Sequence, residues 1–191
     1  GKPVRYRNPA DAMADGIALI SQELTTVLDM NVAENIFLGR EPRRGRFLLD
    51  RHQMVADTKA LMGRLGFNIN PRAQMRDISL AEMQLVEIAK AISRNMQILI
   101  MDEPTSALGE AETEKLFEAI EALRGQNVGI IYVSHRLSDI FRIADRYTVL
   151  RNGSFIESGA MQDIERERLV TLIVGETLDE QVRPAPLLQE E

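Results

Sequence analysis

The chain has 191 residues, of which 45% are hydrophobic and 27% charged, and this is enough for one globular domain with its own core. The absence of cysteine excludes disulfides and thiolate metal sites, and no apolar run approaches the roughly 18 residues of a membrane-spanning helix. The formal charge of −6 argues against nucleic acid as a partner.

The first predicted element is a short apolar strand over residues 17–20, which is followed by Gln22. Helix signals then replace strand signals, so residues 32–94 are expected to form a mainly helical insertion between two strands of a sheet. The spacing Asn31-x-x-Glu34 predicts a capping box at the start of the first helix of this insertion.

The last helix of the insertion is predicted to begin at Ser79, and Ser79-x-x-Glu82 is a second capping-box pattern. An N-terminal hydroxyl beside free backbone N–H groups is also a favourable phosphate site. The residues alone leave both interpretations open, because a capped helix end can still bind an anion.

The most informative segment is residues 98–104, which reads Ile-Leu-Ile-Met-Asp-Glu-Pro. Its apolar residues predict a strand buried on both faces, and Pro104 ends the strand because proline has no N–H to donate. Asp102 and Glu103 therefore lie at the carboxyl end of a buried strand, where open α/β sheets bind ligands. Two acids there suggest nucleotide hydrolysis, with Asp102 serving Mg²⁺ and Glu103 polarising the attacking water. A strand that runs into an acidic turn explains these residues equally well.

The rest of the chain continues the alternation of helices and strands, which predicts an α/β fold. A helix over residues 110–124 precedes an apolar strand over residues 129–133, and this strand ends in Ser134-His135. Asn152-Gly153 predicts a β-hairpin, and a last helix is expected over about residues 162–174.

These motifs, in this order, resemble those of the ATP-binding-cassette (ABC) ATPases. The resemblance places a Q-loop at Gln22, a signature motif at Ser79–Glu82, a Walker B acid at Glu103, a D-loop at Ser106–Leu108 and a switch histidine at His135. It is nearest to the first cassette of the tandem ATPase subunits of bacterial ribose, xylose and galactose-type importers, and extends from residue 1 to about residue 182. The segments that carry it best are residues 32–42, 85–91 and 101–108.

The resemblance implies ATP as the nucleotide and Mg²⁺ as its metal ion. Glu103 would be the catalytic base or water-orienting group, Gln22 and Asp102 would serve the metal, and Gln22 would also contact the attacking water. His135 would contact the γ-phosphate. Nucleotide contacts across a dimer would fall to Ser79, Leu80, Ala81, Glu82, Ser106, Ala107 and Leu108.

The signature motif departs from the family pattern. Leu80 and Ala81 stand where the family usually has glycines, and Glu82 stands where it usually has Gln. A carboxylate close to a triphosphate is electrostatically unfavourable, by roughly 1 kcal/mol at partly exposed distances.

The family implies a P-loop-type α/β ABC ATPase core with an inserted helical subdomain. The expected division is core over residues 1–31, helical subdomain over 32–94, core over 95–182, and tail or linker over 183–191. No Gly-x-x-x-x-Gly-Lys-Ser/Thr loop, which would cradle the phosphates, occurs in the sequence. We therefore expect a cassette that is incomplete at its amino terminus and hydrolyses little ATP alone.

The function implied is an ATP-binding and hydrolysing subunit of a sugar importer, peripheral to the cytoplasmic face of the cell membrane. The implied partners are membrane-spanning permease subunits, a second ATP-binding cassette and, indirectly, a periplasmic sugar-binding protein. One alternative is a non-catalytic fragment that docks on a transporter subunit. An ABC ATPase of chromosome maintenance is disfavoured, because the segment between Gln22 and Ser79 is short and lacks sustained heptads. The arginines near residues 40–46 are interpreted as a solvated loop, with an anionic surface as the alternative.

Overall fold

The computed structural model of the chain describes residues 3–22, 24–45, 48–94 and 96–175. The chain divides into two compact units, residues 1–135 and residues 136–191. The tail predicted over residues 183–191 lies outside the described residues. The finer division into core and helical subdomain remains a prediction.

The first unit alternates helices and strands, as the sequence predicts. In chain order its elements are α1 (Pro9–Ala14), β1 (Ile17–Ile20), α2 (Val32–Phe37), β2 (Arg43–Arg44), β3 (Leu48–Leu49), α3 (Arg51–Arg64), α4 (Leu80–Ile92), β4 (Ile98–Asp102), α5 (Glu110–Arg124) and β5 (Gly129–Val133). A short 3₁₀ turn at Met75–Asp77 precedes α4.

A three-stranded parallel sheet in the order β1-β4-β5 forms the centre of this unit. The register pairs Ile20 with Met101 and Met101 with Tyr132, so the three strands end at the same edge. Leu99 and Met101 are fully buried on one face of β4. The short apolar runs therefore form the parallel strands that their composition predicts.

The prediction that the strand over residues 98–101 is buried on both faces is wrong for the described structure, because Ile98 is 38% exposed and Ile100 is only half-buried. On the same face of the neighbouring strands, Leu19 in β1 and Ile131 in β5 are 63% and 53% exposed. The physical reason is that alternate residues of a strand point to opposite faces. An apolar run does not itself say that both faces are covered.

The helical insertion forms around α2, α3 and α4, and both predicted capping boxes are present. The side chain of Asn31 accepts from the Glu34 N–H at 2.9 Å, and Glu34 accepts in return from the Asn31 N–H at 3.0 Å. Asp50 caps the N-terminus of α3. The apolar sides of the helices fill the core of the insertion with Val32, Ala33, Ile36, Met54, Leu61, Met62, Leu85, Val86, Ile88 and Ala89.

The second unit contains α6 (Leu137–Ile143), β6 (Arg146–Arg151), β7 (Ser154–Ala160) and α7 (Arg166–Val174). The strands β6 and β7 pair antiparallel around Asn152-Gly153, where both residues have positive φ, as the hairpin prediction requires. The last helix begins later than predicted, because residues 161–163 form a 3₁₀ turn.

Candidate functional site

The carboxyl edge of the parallel sheet brings the predicted catalytic segments together. Gln22 follows Ile20, which pairs with Met101 at the residue before Asp102. On the other side of β4, Asp102 pairs with Val133, two residues before His135. Because the three strands end at the same edge, the segments that follow them lie near one another although they are far apart in sequence. This is the edge where α/β sheets bind ligands.

Glu103 and His135 contact each other directly at this edge. One carboxylate oxygen of Glu103, Oε1, accepts a hydrogen bond from the His135 backbone N–H at 3.0 Å. The same oxygen lies 2.9 Å from His135 Nδ1. The Glu103 side chain is only 17% exposed, whereas that of His135 is 79% exposed. The pair thus joins a sheltered carboxylate to an imidazole that reaches into solvent.

The backbone of Glu103 is held in an unusual conformation. Its φ is +50°, in the left-handed region that L-residues other than Asn, Asp and Gly rarely adopt. The Glu103 N–H is fixed by a hydrogen bond to the Val133 carbonyl at 2.9 Å, and its carbonyl accepts from the Ser106 N–H at 3.2 Å. Strain of this kind costs roughly 1–3 kcal/mol and is concentrated at functional sites. Here it turns the carboxylate towards the end of β5.

The second carboxylate oxygen of Glu103, Oε2, is buried and has no hydrogen-bond partner within the described part of the chain. Buried polar atoms are nearly always hydrogen-bonded, so an orphaned one calls for an explanation. A water molecule that donates to Oε2 would satisfy it. The site therefore carries a free acceptor where a nucleophilic water could be held.

The residues at this edge fit an Mg²⁺ ion that arrives with phosphates. Asp102, which is half-buried, offers a carboxylate, and Gln22, which is exposed, offers an amide oxygen. Among residues 3–22, 24–45, 48–94 and 96–175 there is no group of three or more acidic, His or Cys side chains that could hold a metal. This donor set suits Mg²⁺, which usually takes one or two carboxylates together with waters and substrate phosphates.

The signature residues lie at the N-terminus of α4. The Glu82 carboxylate accepts from the Ser79 N–H at 2.8 Å and from the Ser79 hydroxyl at 2.9 Å, and the Glu82 N–H donates to Ser79 Oγ at 3.2 Å. Ser79 and Leu80 are exposed, whereas Ala81 and Glu82 are half-buried. Within the described residues, no hydrogen bond or ion pair joins this helix end to Glu103 or His135.

The predicted D-loop is the turn that follows β4. Ser106 is exposed, Ala107 and Leu108 are half-buried, and the Leu108 N–H donates to the Thr105 carbonyl at 3.2 Å. Thr105 is buried at the start of this turn, next to the exposed Ser106.

Sequence reasoning missed two sheltered polar side chains in the helical insertion. Asn35 is fully buried, and the side chain of Glu87 is 13% exposed. For Glu87 a signal was available, because it lies between apolar residues of its helix.

Arg40 does not belong to a solvated loop, and that interpretation is wrong for this residue. Its guanidinium donates to the Ile36 carbonyl at 2.9 Å and to the Ser93 carbonyl at 3.1 Å, and stacks 5.2 Å from the centre of the Phe37 ring. Burial, and secondarily the charge of Arg94, lower the pKa of Arg40. The other described arginines of that segment, Arg43 and Arg44, are exposed as expected.

The chain resembles curated sugar-import proteins over nearly its whole length. It is 48% identical over 180 residues, 94% of this chain, to the putative ribose/galactose/methyl galactoside import ATP-binding protein 3 of Burkholderia cenocepacia (strain HI2424). It is 42% identical over 184 residues, 96% of this chain, to the galactose/methyl galactoside import ATP-binding protein MglA of Mannheimia succiniciproducens. It covers 35% and 36% of these two proteins, so it spans about a third of the length of such relatives.

Solved ATP-binding cassettes are among the structures that resemble the chain. One is the ADP conformation of an ATP-binding cassette of an ABC transporter, with a TM-score of 0.71 at 21% identity, covering 89% of this chain and 72% of that one. Another is a nucleotide-free ATP-binding cassette from an ABC transporter, with a TM-score of 0.69 at 21% identity, covering 89% and 69% of the two chains. These likenesses confirm the predicted α/β fold.

None of the helices in the described ranges has the length and apolar character that crossing a membrane requires. A protein-family model described as "ABC transporter" matches residues 1–106, more than half of the sequence. Together with the parallel sheet and the ordered motifs at its carboxyl edge, this match shows that the chain belongs to the ABC transporter family.

Proposed function

We propose that the chain is part of the ATP-binding and hydrolysing subunit of a sugar importer, peripheral to the cytoplasmic face of the cell membrane. The observation that carries the proposal is the strained, sheltered Glu103 beside Asp102, engaged by His135 at the carboxyl edge of the sheet. The names of the relatives point to ribose, galactose or methyl galactoside as the transported sugar.

Glu103 is the group best suited to orient and deprotonate a water molecule. Its carboxylate is held at Oε1 by His135, while Oε2 is buried and lacks a partner among the described residues. A water bound at Oε2 would lie at the ligand-binding edge of the sheet, and its proton would pass to this oxygen as it attacks the terminal phosphate of ATP.

Asp102 and Gln22 are the residues that would hold Mg²⁺ at this edge. When bound, the ion would neutralise charge on the phosphates and fix their orientation. His135, whose side chain is mostly exposed to solvent, would contact the γ-phosphate. Catalysis then consists of positioning and electrostatic stabilisation by these side chains.

The signature residues would act in a dimer, in which Ser79, Leu80, Ala81 and Glu82 face the nucleotide of a second ATP-binding cassette. The turn at Ser106, Ala107 and Leu108 would lie along the same dimer contact. The other partners would be membrane-spanning permease subunits and, through them, a periplasmic sugar-binding protein.

The test is ATP hydrolysis by the complete subunit assembled with its permease. Glu103→Gln, which keeps the shape of the side chain, is expected to lower kcat by about 100-fold or more, the usual contribution of a general base. ATP binding should persist, because the lost group acts on water. The matched control is Glu110→Gln, an exposed acid at the start of α5 that should leave kcat unchanged.

Hydrolysis that survives Glu103→Gln would contradict the proposed role of Glu103. An assembly that binds its permease but never hydrolyses ATP would favour the alternative, a non-catalytic fragment that docks on a transporter subunit.

A further inference from the structure

The loop that follows Gln22 is fixed to α2 by one buried side chain. Asn35 Oδ1 accepts from the Val27 N–H at 2.7 Å, and Asn35 Nδ2 donates to the Val27 carbonyl at 3.0 Å and to the Asn31 carbonyl at 3.1 Å. Asn35 is fully buried, so these bonds are shielded from water. These bonds therefore hold the loop between residues 27 and 31 against α2.

The same loop is hydrogen-bonded to the segment that leads into the signature helix. The Met75 N–H donates to the Met30 carbonyl at 3.0 Å, and the Arg76 N–H donates to the Leu28 carbonyl at 3.3 Å. Asn31 and Gln74 also form an isolated antiparallel bridge. The chain after Gln22 and the chain before Ser79 are thus joined backbone to backbone.

A side-chain contact continues this connection towards Gln22. The Thr25 hydroxyl donates to Glu87 Oε2 at 3.0 Å, and the two residues are 62 positions apart. The other oxygen, Glu87 Oε1, accepts from Lys90 Nζ at 3.1 Å. The side chains of Glu87 and Lys90 are only 13% and 14% exposed. A sheltered carboxylate on α4 is thus held by Lys90 and in turn holds Thr25, three residues after Gln22.

We propose that Glu87 is a positioning residue that sets the location of Gln22 through the Thr25 hydroxyl. This contact holds Thr25 against α4, and Thr25 lies three residues after Gln22 in the chain. The inference rests on the proposed function, because it assigns a consequence to the position of Gln22 in ATP hydrolysis.

The cleanest variant is Thr25→Val, which removes the hydroxyl and keeps the shape of the side chain. Changing Glu87 itself would leave Lys90 without its partner in a sheltered site, which is costly for reasons unrelated to Gln22. Thr25→Ser keeps the donor and serves as the rescue variant. Thr26→Val is the matched control, since it makes the same change one residue further along.

In the complete subunit, Thr25→Val is expected to lower kcat for ATP hydrolysis about three- to tenfold, the range given by loss of one ordinary hydrogen bond, because Thr25 is exposed to water. KM for ATP should change less than about twofold, because Gln22 acts on the reacting water and metal rather than on overall nucleotide affinity. Thr25→Ser should recover most of the activity, and Thr26→Val should match the unchanged protein.

The deciding measurement repeats Thr25→Val in a Gln22→Ala background. If Thr25 acts through Gln22, the second substitution adds no further loss once Gln22 is gone. Independent, multiplying losses would show that Thr25 has only a general structural role and would overturn the inference, as would wild-type kcat in Thr25→Val. Hydrolysis that persists in Glu103→Gln would instead contradict the proposed function itself, and with it the role given to Gln22.

Discussion

The sheet edge at Glu103 and the helix end at Ser79 differ in whether their polar groups already have hydrogen-bond partners. At Glu103 the backbone is in a left-handed conformation, and one buried carboxylate oxygen has no partner within the described part of the chain. At Ser79 the backbone is relaxed, and both the N–H and the hydroxyl donate to Glu82. At Glu103 an oxygen is available to accept a hydrogen bond from a ligand. At Ser79 the donors are already bonded to Glu82, so an anion can bind them only if those hydrogen bonds break.

The largest effect is expected from removing the strained residue of the pair. Glu103→Gly should lower kcat for ATP hydrolysis by about 100-fold or more, because the carboxylate is lost. Glu103→Gly and Glu103→Ala both lose the hydrogen bond to His135, but the Gly chain should have a free energy of unfolding about 1 kcal/mol above that of the Ala chain, because only glycine adopts positive φ without strain. Activity is measured in the complete subunit, and stability by urea unfolding of the 191-residue chain.

The matched control for that variant is Asn127→Gly, which replaces another residue with positive φ, +60°, in the turn before β5. It should leave hydrolysis unchanged and have a smaller effect on stability, because Asn tolerates the left-handed region better than Glu does. A Glu103→Gly chain that is less stable than the Glu103→Ala chain would show that the Glu103 geometry is not strained.

The helix end should behave in the opposite manner, as a structural cap. Ser79→Ala removes the hydroxyl that accepts from the Glu82 N–H and should lower the free energy of unfolding by about 1 kcal/mol. Ser79→Asn should retain most of the stability, because Asn is an equally good N-cap. Urea unfolding of the three chains tests this. Equal stability of the Ala and unchanged chains would mean that the capping box contributes nothing.

The smallest effect is expected from changing Glu82, which caps the helix but also places a negative charge beside the proposed phosphate site. Glu82→Gln in the complete subunit should tighten ATP-driven dimerisation about threefold to fivefold, because it removes a negative charge beside the phosphate bound across the dimer. Light scattering at increasing ATP concentration measures the dimer. A weaker dimer in Glu82→Gln would indicate that the helix cap matters more than the charge.

Sequence patterns predicted the structural features that depend only on residues close together in the chain. The two capping boxes follow from Asn31-x-x-Glu34 and Ser79-x-x-Glu82, and the hairpin follows from Asn152-Gly153, because each depends on residues within a few positions of one another. The edge that collects Gln22, Asp102, Glu103 and His135 was also predictable, since the ends of parallel strands meet.

What the sequence did not predict depends on contacts between distant segments. The hydrogen bond from Thr25 to Glu87 spans 62 positions, and the exposure of Ile131 depends on what covers the sheet rather than on the strand itself. The left-handed backbone conformation of Glu103 could not be predicted from the sequence either, because glutamate disfavours positive φ and only the surrounding turn imposes it. The roles assigned to the site residues stay predictions until the variants are measured.

The order of the strands also has a consequence for how the molecule assembles. Strands β4 and β5 are separated in sequence by a single helix, whereas the whole helical insertion separates β1 from β4. Closing the longer loop costs more chain entropy, so β1 is expected to join the sheet last during folding and to detach first during partial unfolding. The Glu103–His135 pair would then form early, and Gln22 would reach it only in the final step. In the complete subunit, mild denaturant should accordingly abolish ATP hydrolysis before most of the helical signal is lost.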